Sequence, residues 1–296
     1  MKHNIIAIGL ILATTASTMA GIEFTSKVTN KRGQTVSRTK GWVDGPKAKI
    51  EYVSGQKSSG LKKGSYILSK DGGKTVYAVD PQNKSYMKFD IDKLASQVGD
   101  FMNAAGGFIS LKFTNPEFKT LSDDRGPEMH GLPTRHLKTE TSYTVSASVF
   151  GQKNITSISR KDETWLTKKI RDKGMQIWTQ QRTIKTGNKD IDKIIASETK
   201  RLDGIPLKVT SVTTTKENNK KPQVTTVTHE ITSLKRTKID AETFEIPKDY
   251  TSNNAEIATG FKALTQHMQN DTKNSKDGTP GASVNKMLNG LFGGGK

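Results

Sequence analysis

Apolar and polar residues alternate with period two over most of the chain from Ile22 to Tyr250, which predicts a molecule made mainly of strands. "IEFTSKV" opens the first strand. "TVSRTKGWVDGPKAKIEYV" divides into two around the turn Asp44-Gly45-Pro46. On the second of these, Ala48, Ile50 and Tyr52 point one way and Lys47, Lys49 and Glu51 the other. After a loop rich in Lys and Ser, "YILSKDGGKTVYAVDPQNKSYMKFD" (66 to 90) reads as three short strands joined by turns at Asp71-Gly72-Gly73 and at Asp80, Pro81 and Asn83. Long alternating segments occupy 133 to 168, and "MQIWTQQRTI" (175 to 184) predicts a further strand. Residues 206 to 239 predict a hairpin with a polar tip at Glu217 to Pro222.

Two stretches switch to helical spacing. In 90 to 105, Ile91, Leu94, Ala95, Val98, Phe101 and Met102 share one face, with Asp90 as N-cap and Gly106-Gly107 as the stop. In 188 to 204, Ile191, Ile194, Ile195 and Leu202 lie on one side and Gly204 ends the helix. Beyond Tyr250 the alternation stops. Ile257, Phe261, Leu264 and Met268 suit an amphipathic helix within 251 to 269, and 270 to 296 reads as a flexible, polar, Gly-rich tail that folding does not need.

The first 20 residues change the picture of where the protein works. Lys2 precedes an apolar run from Ile5 to Leu12 and small residues up to Ala20, the pattern of a cleaved signal peptide. Cleavage after Ala20 leaves Gly21 where a lipid-anchored protein would have Cys, so the expected product is periplasmic and not lipid-anchored. The chain has no Cys at all, which rules out disulfides as a source of stability. The domain plan is thus a signal peptide (1 to 20), a β-sheet domain (21 to 250), a helix (251 to 269) and a tail (270 to 296).

The net charge of +18 fits either a well-solvated surface or anionic surroundings such as lipid headgroups, lipopolysaccharide or acidic polymer. Basic clusters lie at "TKKIRDK" (167 to 173), "KENNKK" (216 to 221) and "SLKRTK" (233 to 238), without the motifs of a nucleic-acid-binding fold. His130 and His136 are six residues apart, which matches no standard zinc spacing. No G-x-S-x-G elbow or phosphate loop is present. The expectation is therefore no enzyme, no cofactor, no metal and no nucleic-acid partner.

Four local signatures, "WVDGPKAKIEY" (42 to 52), the stretch 66 to 90, "LDGIPLKV" (202 to 209) and "FEIPKDY" (244 to 250), together resemble an uncharacterised family of secreted bacterial proteins. That family is a domain of unknown function in the superfamily of LolA- and LolB-like lipoprotein-localisation factors. The resemblance spans about residues 22 to 250. It implies a mainly β (α+β) fold, a large curved antiparallel sheet or half-open barrel with two or three helices covering the concave face. In better-known members that face holds the acyl chains of lipoproteins, and a related envelope sensor uses a similar domain. No site residue of the lipoprotein carriers has a counterpart here.

Aromatic residues supply the functional expectation. In 66 to 90 both strand parities are partly apolar, so both faces of the sheet are expected to be covered. A groove for an apolar ligand would be walled by Trp42, Ile50, Tyr52, Tyr77 and Phe89 and lidded by Val98, Phe101 and Met102. The leading reading is a non-enzymatic, monomeric periplasmic carrier or envelope sensor that binds a lipid, acyl chain, lipoprotein or lipopolysaccharide, with peripheral membrane contact. The alternative is an envelope interaction module with a solid core that binds anionic polymer or a protein partner.

Overall fold

The computed structural model describes residues 20–54, 62–94, 109–149, 152–179, 189–218 and 220–253. Twelve strands form one sheet: β1 (Gly21–Asn30), β2 (Thr35–Asp44), β3 (Lys47–Ser54), β4 (Tyr66–Ser69), β5 (Thr75–Asp80), β6 (Ser85–Asp90), β7 (Ile109–Arg125), β8 (Arg135–Val149), β9 (Gln152–Thr167), β10 (Ile205–Glu217), β11 (Gln223–Thr237) and β12 (Thr251–Ser252). Their order is β12-β6-β5-β4-β3-β2-β1-β11-β10-β9-β8-β7. All pairings are antiparallel except that of β12 with β6. The sheet is open, with β12 and β7 at its edges, so it is not a closed barrel. It consists of two meanders, β1 to β6 and β7 to β11, joined where β1 pairs with β11.

Cross-strand partners point to the same side, so the register sorts side chains onto two faces. One face carries Ile22, Phe24, Val43, Ala48 and Ile50, and on it a short helix α1 (Met175–Thr179) seats Met175 in their midst. A second helix, α2 (Lys189–Arg201), covers the same face further along and buries Ile194 against Phe113 and Val145. The opposite face is covered at the first meander by the segment after β11. There Phe244, in a 3-10 turn (Ala241–Phe244), packs on Tyr66, Leu68 and Val79. Of the strands in 66 to 90, whose mixed parity predicts cover on both faces, the structure shows the Phe244 side covered, while α1 covers the other side over β1 to β3.

Gly41 shows how tightly the first face is built. It lies opposite Phe24 in the β1–β2 register, and a Cβ there would sit 2.2 Å from the Phe24 ring. The ring lies across the glycine, is fully buried, and meets Trp178 of α1 at 5.5 Å between centroids. Trp178 lies three residues after Met175, so both project to one side of a single helical turn.

Three differences from the sequence expectation stand out. Residues 175–179, expected as strand, are helical. Both edges of β9 are already paired, with β8 and β10, so this segment cannot pair beside the strand it follows and instead crosses the sheet face. Gly174 makes the crossing possible, because its N–H donates to the Gly45 carbonyl and a side chain there would collide with Lys47 and Val43. Second, β7 forms a seventeen-residue edge strand where no strand was singled out. Third, the expected 90–105 helix begins at residues 91–94, and its remainder, with Val98, Phe101 and Met102, lies outside the described residues. So do the expected signal peptide to residue 19 and, from residue 254, the expected C-terminal helix and tail; the first two residues of that expected helix, Thr251–Ser252, instead form β12.

Candidate functional site

On the helix-covered face the two apolar clusters do not meet. Between them the floor of the sheet is hydroxylic and charged: Thr139 and Thr141 from β8, Arg160, Asp162 and Thr164 from β9, and Ser211 from β10. Over this floor α2 presents Ile195, Glu198, Thr199 and Arg201. The space enclosed is a cleft of about 440 Å³, open to one side. A smaller cleft of about 180 Å³ continues from it, sharing Thr179, Pro206 and Val209 and adding Trp178 and Leu207. Lys208 and His229 also line the smaller cleft, so both parts mix polar and apolar groups, and Trp178 and Leu207 are the large apolar ones of the smaller part.

An ion-pair relay ties α2 to the floor. Arg160 donates from Nε to Asp162 Oδ2 and from Nη2 to Glu198 Oε1, both at 2.8 Å. Asp162 uses its other oxygen to accept from the Ser211 hydroxyl at 2.6 Å. Burial works against the Arg160 charge, yet Asp162 and Glu198 outweigh it and raise its pKa above the ordinary value. One guanidinium therefore bridges β9 to the helix above.

Arg201 lies one turn beyond Glu198 on α2. Its guanidinium lies over the Phe118 ring, 5.3 Å from the centroid. Its Nη1 is enclosed and has no hydrogen-bond partner among the described residues. Unlike Arg160, it has no carboxylate partner among them.

The residues expected to wall a groove divide between the two faces. Ile50, Tyr52 and Phe89 lie on the helix-covered face, with Ile50 buried in the core beneath α1. Burial raises the pKa of the Tyr52 phenol. Trp42 and Tyr77 lie on the opposite face, packed into the cluster closed by Phe244. The sheet itself separates the two sets, so no single groove is lined by all five. None of them lines the cleft under α2.

Of the histidines expected at the surface, His130 donates from Nε2 to the Ile231 carbonyl at 2.8 Å. His136 stacks on Trp165 at 4.7 Å and contacts Glu163. Among the described residues no group of three or more His, Asp or Glu could hold a metal ion.

A family model described as "Domain of unknown function (DUF4412)" matches residues 152–250. The matched stretch is a third of the chain and contains Arg160, Asp162, Glu198 and Arg201. Among solved structures, the chain is similar to a Parabacteroides distasonis protein described as a "putative lipoprotein", at 10% identity and a TM-score of 0.27, covering 74% of this chain and 96% of that one. The search of curated proteins gives no match. No helix among the described residues is long and apolar enough to cross a membrane.

Proposed function

We propose that this is a non-enzymatic periplasmic protein of the LolA/LolB-like superfamily that binds an amphiphile, a lipid, acyl chain or acylated protein end, as carrier or envelope sensor. The observation that carries the reading is the junction of the two clefts at Thr179, Pro206 and Val209. On one side of it Trp178 and Leu207 offer apolar surface beside Lys208 and His229, and on the other side charges and hydroxyls form the floor. A soluble helix that needed only to complete the fold would bury an apolar stripe against the sheet. Here α2 buries Ile194 against Phe113 and Val145 and, alongside that contact, stands on Arg160 and encloses space. Each methylene buried gains about 0.8 kcal/mol, so some six of them give about 5 kcal/mol gross, the scale of reversible exchange.

Titration with a fluorescent fatty acid tests this, together with mass spectrometry of a solvent extract of natively purified protein. Val209 lines both clefts, so Val209→Trp fills the junction. Saturable binding by the wild type, lost in Val209→Trp with the fold intact by circular dichroism, supports the reading. No binding, and no lipid in the extract, overturns it.

One observation favours a second reading, a surface for anionic polymer. On the opposite face Lys40 and Lys49 lie over Trp42, at 4.8 Å and 5.5 Å from its centroid, and Lys49 lies 4.3 Å from that of Tyr66. Burial lowers the Lys49 pKa, with Glu51 acting in the other direction. Salt-sensitive binding to lipopolysaccharide, weakened by Lys49→Ala, would select this reading.

A further inference from the structure

Arg201 is the group in the cleft that the tether does not use. Buried polar atoms are almost always paired, and each exception calls for an explanation. Arg160 needs none, since Asp162 and Glu198 take its donors. Arg201 lines a cleft with room for a small group and has no carboxylate partner among the described residues; its Nη1 is enclosed without an acceptor, so the donors that can meet a group in the cleft are the remaining ones of its guanidinium. Its charge is not neutralised by Glu198, one helical turn away, because that carboxylate is engaged by Arg160. The Phe118 ring supports the guanidinium from the side. A guanidinium stacked on an aromatic ring keeps its edge donors available, and that edge matches the paired oxygens of a carboxylate or phosphate.

We infer that Arg201 is the headgroup anchor of the cleft, a subsite for a carboxylate or phosphate oxyanion. The inference rests on the amphiphile reading above and makes it specific. The ligand is anionic at the end that lies under the last turn of α2, and its apolar part runs toward Val209 and Trp178. The tether gives the subsite its position, since Arg160 fixes Glu198 and with it the helical turn that carries Arg201. Thr199 is already engaged, its hydroxyl donating to the Ile195 carbonyl at 2.9 Å, so the guanidinium is the anion donor that α2 offers to the cleft.

The test compares a fluorescent fatty acid, at a pH where it is ionised, with the matching fatty alcohol, and uses inorganic phosphate as competitor. Wild type, Arg201→Lys and Arg201→Met are titrated after circular dichroism has established that each is folded. The wild type should bind the acid about tenfold or more tighter than the alcohol, the value of one charge-assisted hydrogen bond. In Arg201→Met the preference should vanish while alcohol binding holds. Arg201→Lys should keep part of it, having the charge without the fork. Phosphate competing with the acid in wild type alone identifies the oxyanion as the feature recognised, whether free or on a lipid. Equal affinity of the wild type for acid and alcohol, or a preference retained in Arg201→Met, overturns the subsite and leaves the amphiphile reading standing. If neither acid nor alcohol binds, the amphiphile reading fails. The subsite then survives only if phosphate raises the melting temperature of the wild type and not of Arg201→Met, and it is overturned otherwise.

Discussion

At the scale of single residues, Asp162 and Asp71 carry the most checkable consequences. Asp162 accepts from both Arg160 and Ser211 on a largely buried floor. Asp162→Ala should destabilise by about 1 to 3 kcal/mol, the cost of stranding buried partners, read as a lower urea midpoint. Asp71 holds the turn between β4 and β5. Its Oδ1 accepts from the Thr75 N–H and the Ser69 hydroxyl, both at 2.9 Å. Burial works to raise its pKa, but these bonds prevail and hold it below the ordinary carboxylate value. A folded pKa below the unfolded value of about 3.9 means the stabilisation is full above that value and is lost as pH falls through the folded one. The melting-temperature gap between wild type and Asp71→Asn should therefore be widest near about pH 7 and close toward about pH 3. A gap that widens on acidification would contradict the assignment. The turn chemistry was legible in the sequence because Asp-Gly-Gly signals its own geometry. The cleft was not read, although one trace of it exists: Ile158, Arg160, Asp162, Thr164 and Leu166 share a parity, so two charges sit on the side that also holds buried Leu166 and Thr164. Charges on the buried parity of a strand mark a polar site in the fold.

At the scale of elements, the contact between β1 and β2 is the sharpest test of packing. Gly41→Ala places a methyl into the Phe24 ring, which Trp178 holds from above. It should cost about 1 to 3 kcal/mol, as overpacking does. Adding Phe24→Leu should recover part of that loss, so the double variant is more stable than the sum of the singles predicts. Additive losses in urea denaturation would show that the ring does not lie across the glycine. The hairpin of β10 and β11, the β1 to β6 meander and α2 were all legible, because each announces itself in local periodicity and turn residues. The helix α1 was not. "MQIWT" alternates like a strand, and only the pairing of β9 on both edges, a fact about distant residues, keeps it from pairing beside that strand. Similarly, Trp42 and Tyr77 are apolar strand residues like Ile50, and the side each faces follows from a register that spans several strands.

Across the whole molecule, the sheet ends at β7, which has no neighbour on its outer side among the described residues. Its pairing with β8 shifts register between Thr114 and Glu117 and between Thr120 and Ser122, with Pro116 inside the first, so the strand is bent and does not present a straight edge. Lys112, Glu117 and Lys119 add charge. These are the usual protections against edge-to-edge association. Hydrogen exchange should show fast and slow amides alternating along the regular parts of β7, while β1 and β11, paired on both sides, protect nearly every amide. Uniform protection along β7 would instead reveal a further partner strand.

The seam between β1 and β11 has a consequence in time. Gly21 pairs with Thr237 and Asn30 with Val227, so every strand from β2 to β10 lies between the two sides of the seam. As the polypeptide emerges, β2 can cover one edge of β1 at once, but the other stays bare until Gln223–Thr237 has been made. Loop closure over such a span is slow, and the sheet is assembled late relative to its first strand. For that interval β1 is a template for any passing strand, including β11 of another copy. Whatever escorts the nascent chain must shield that one edge, and exchange of β11 between two copies is the misassembly to which this topology is most exposed.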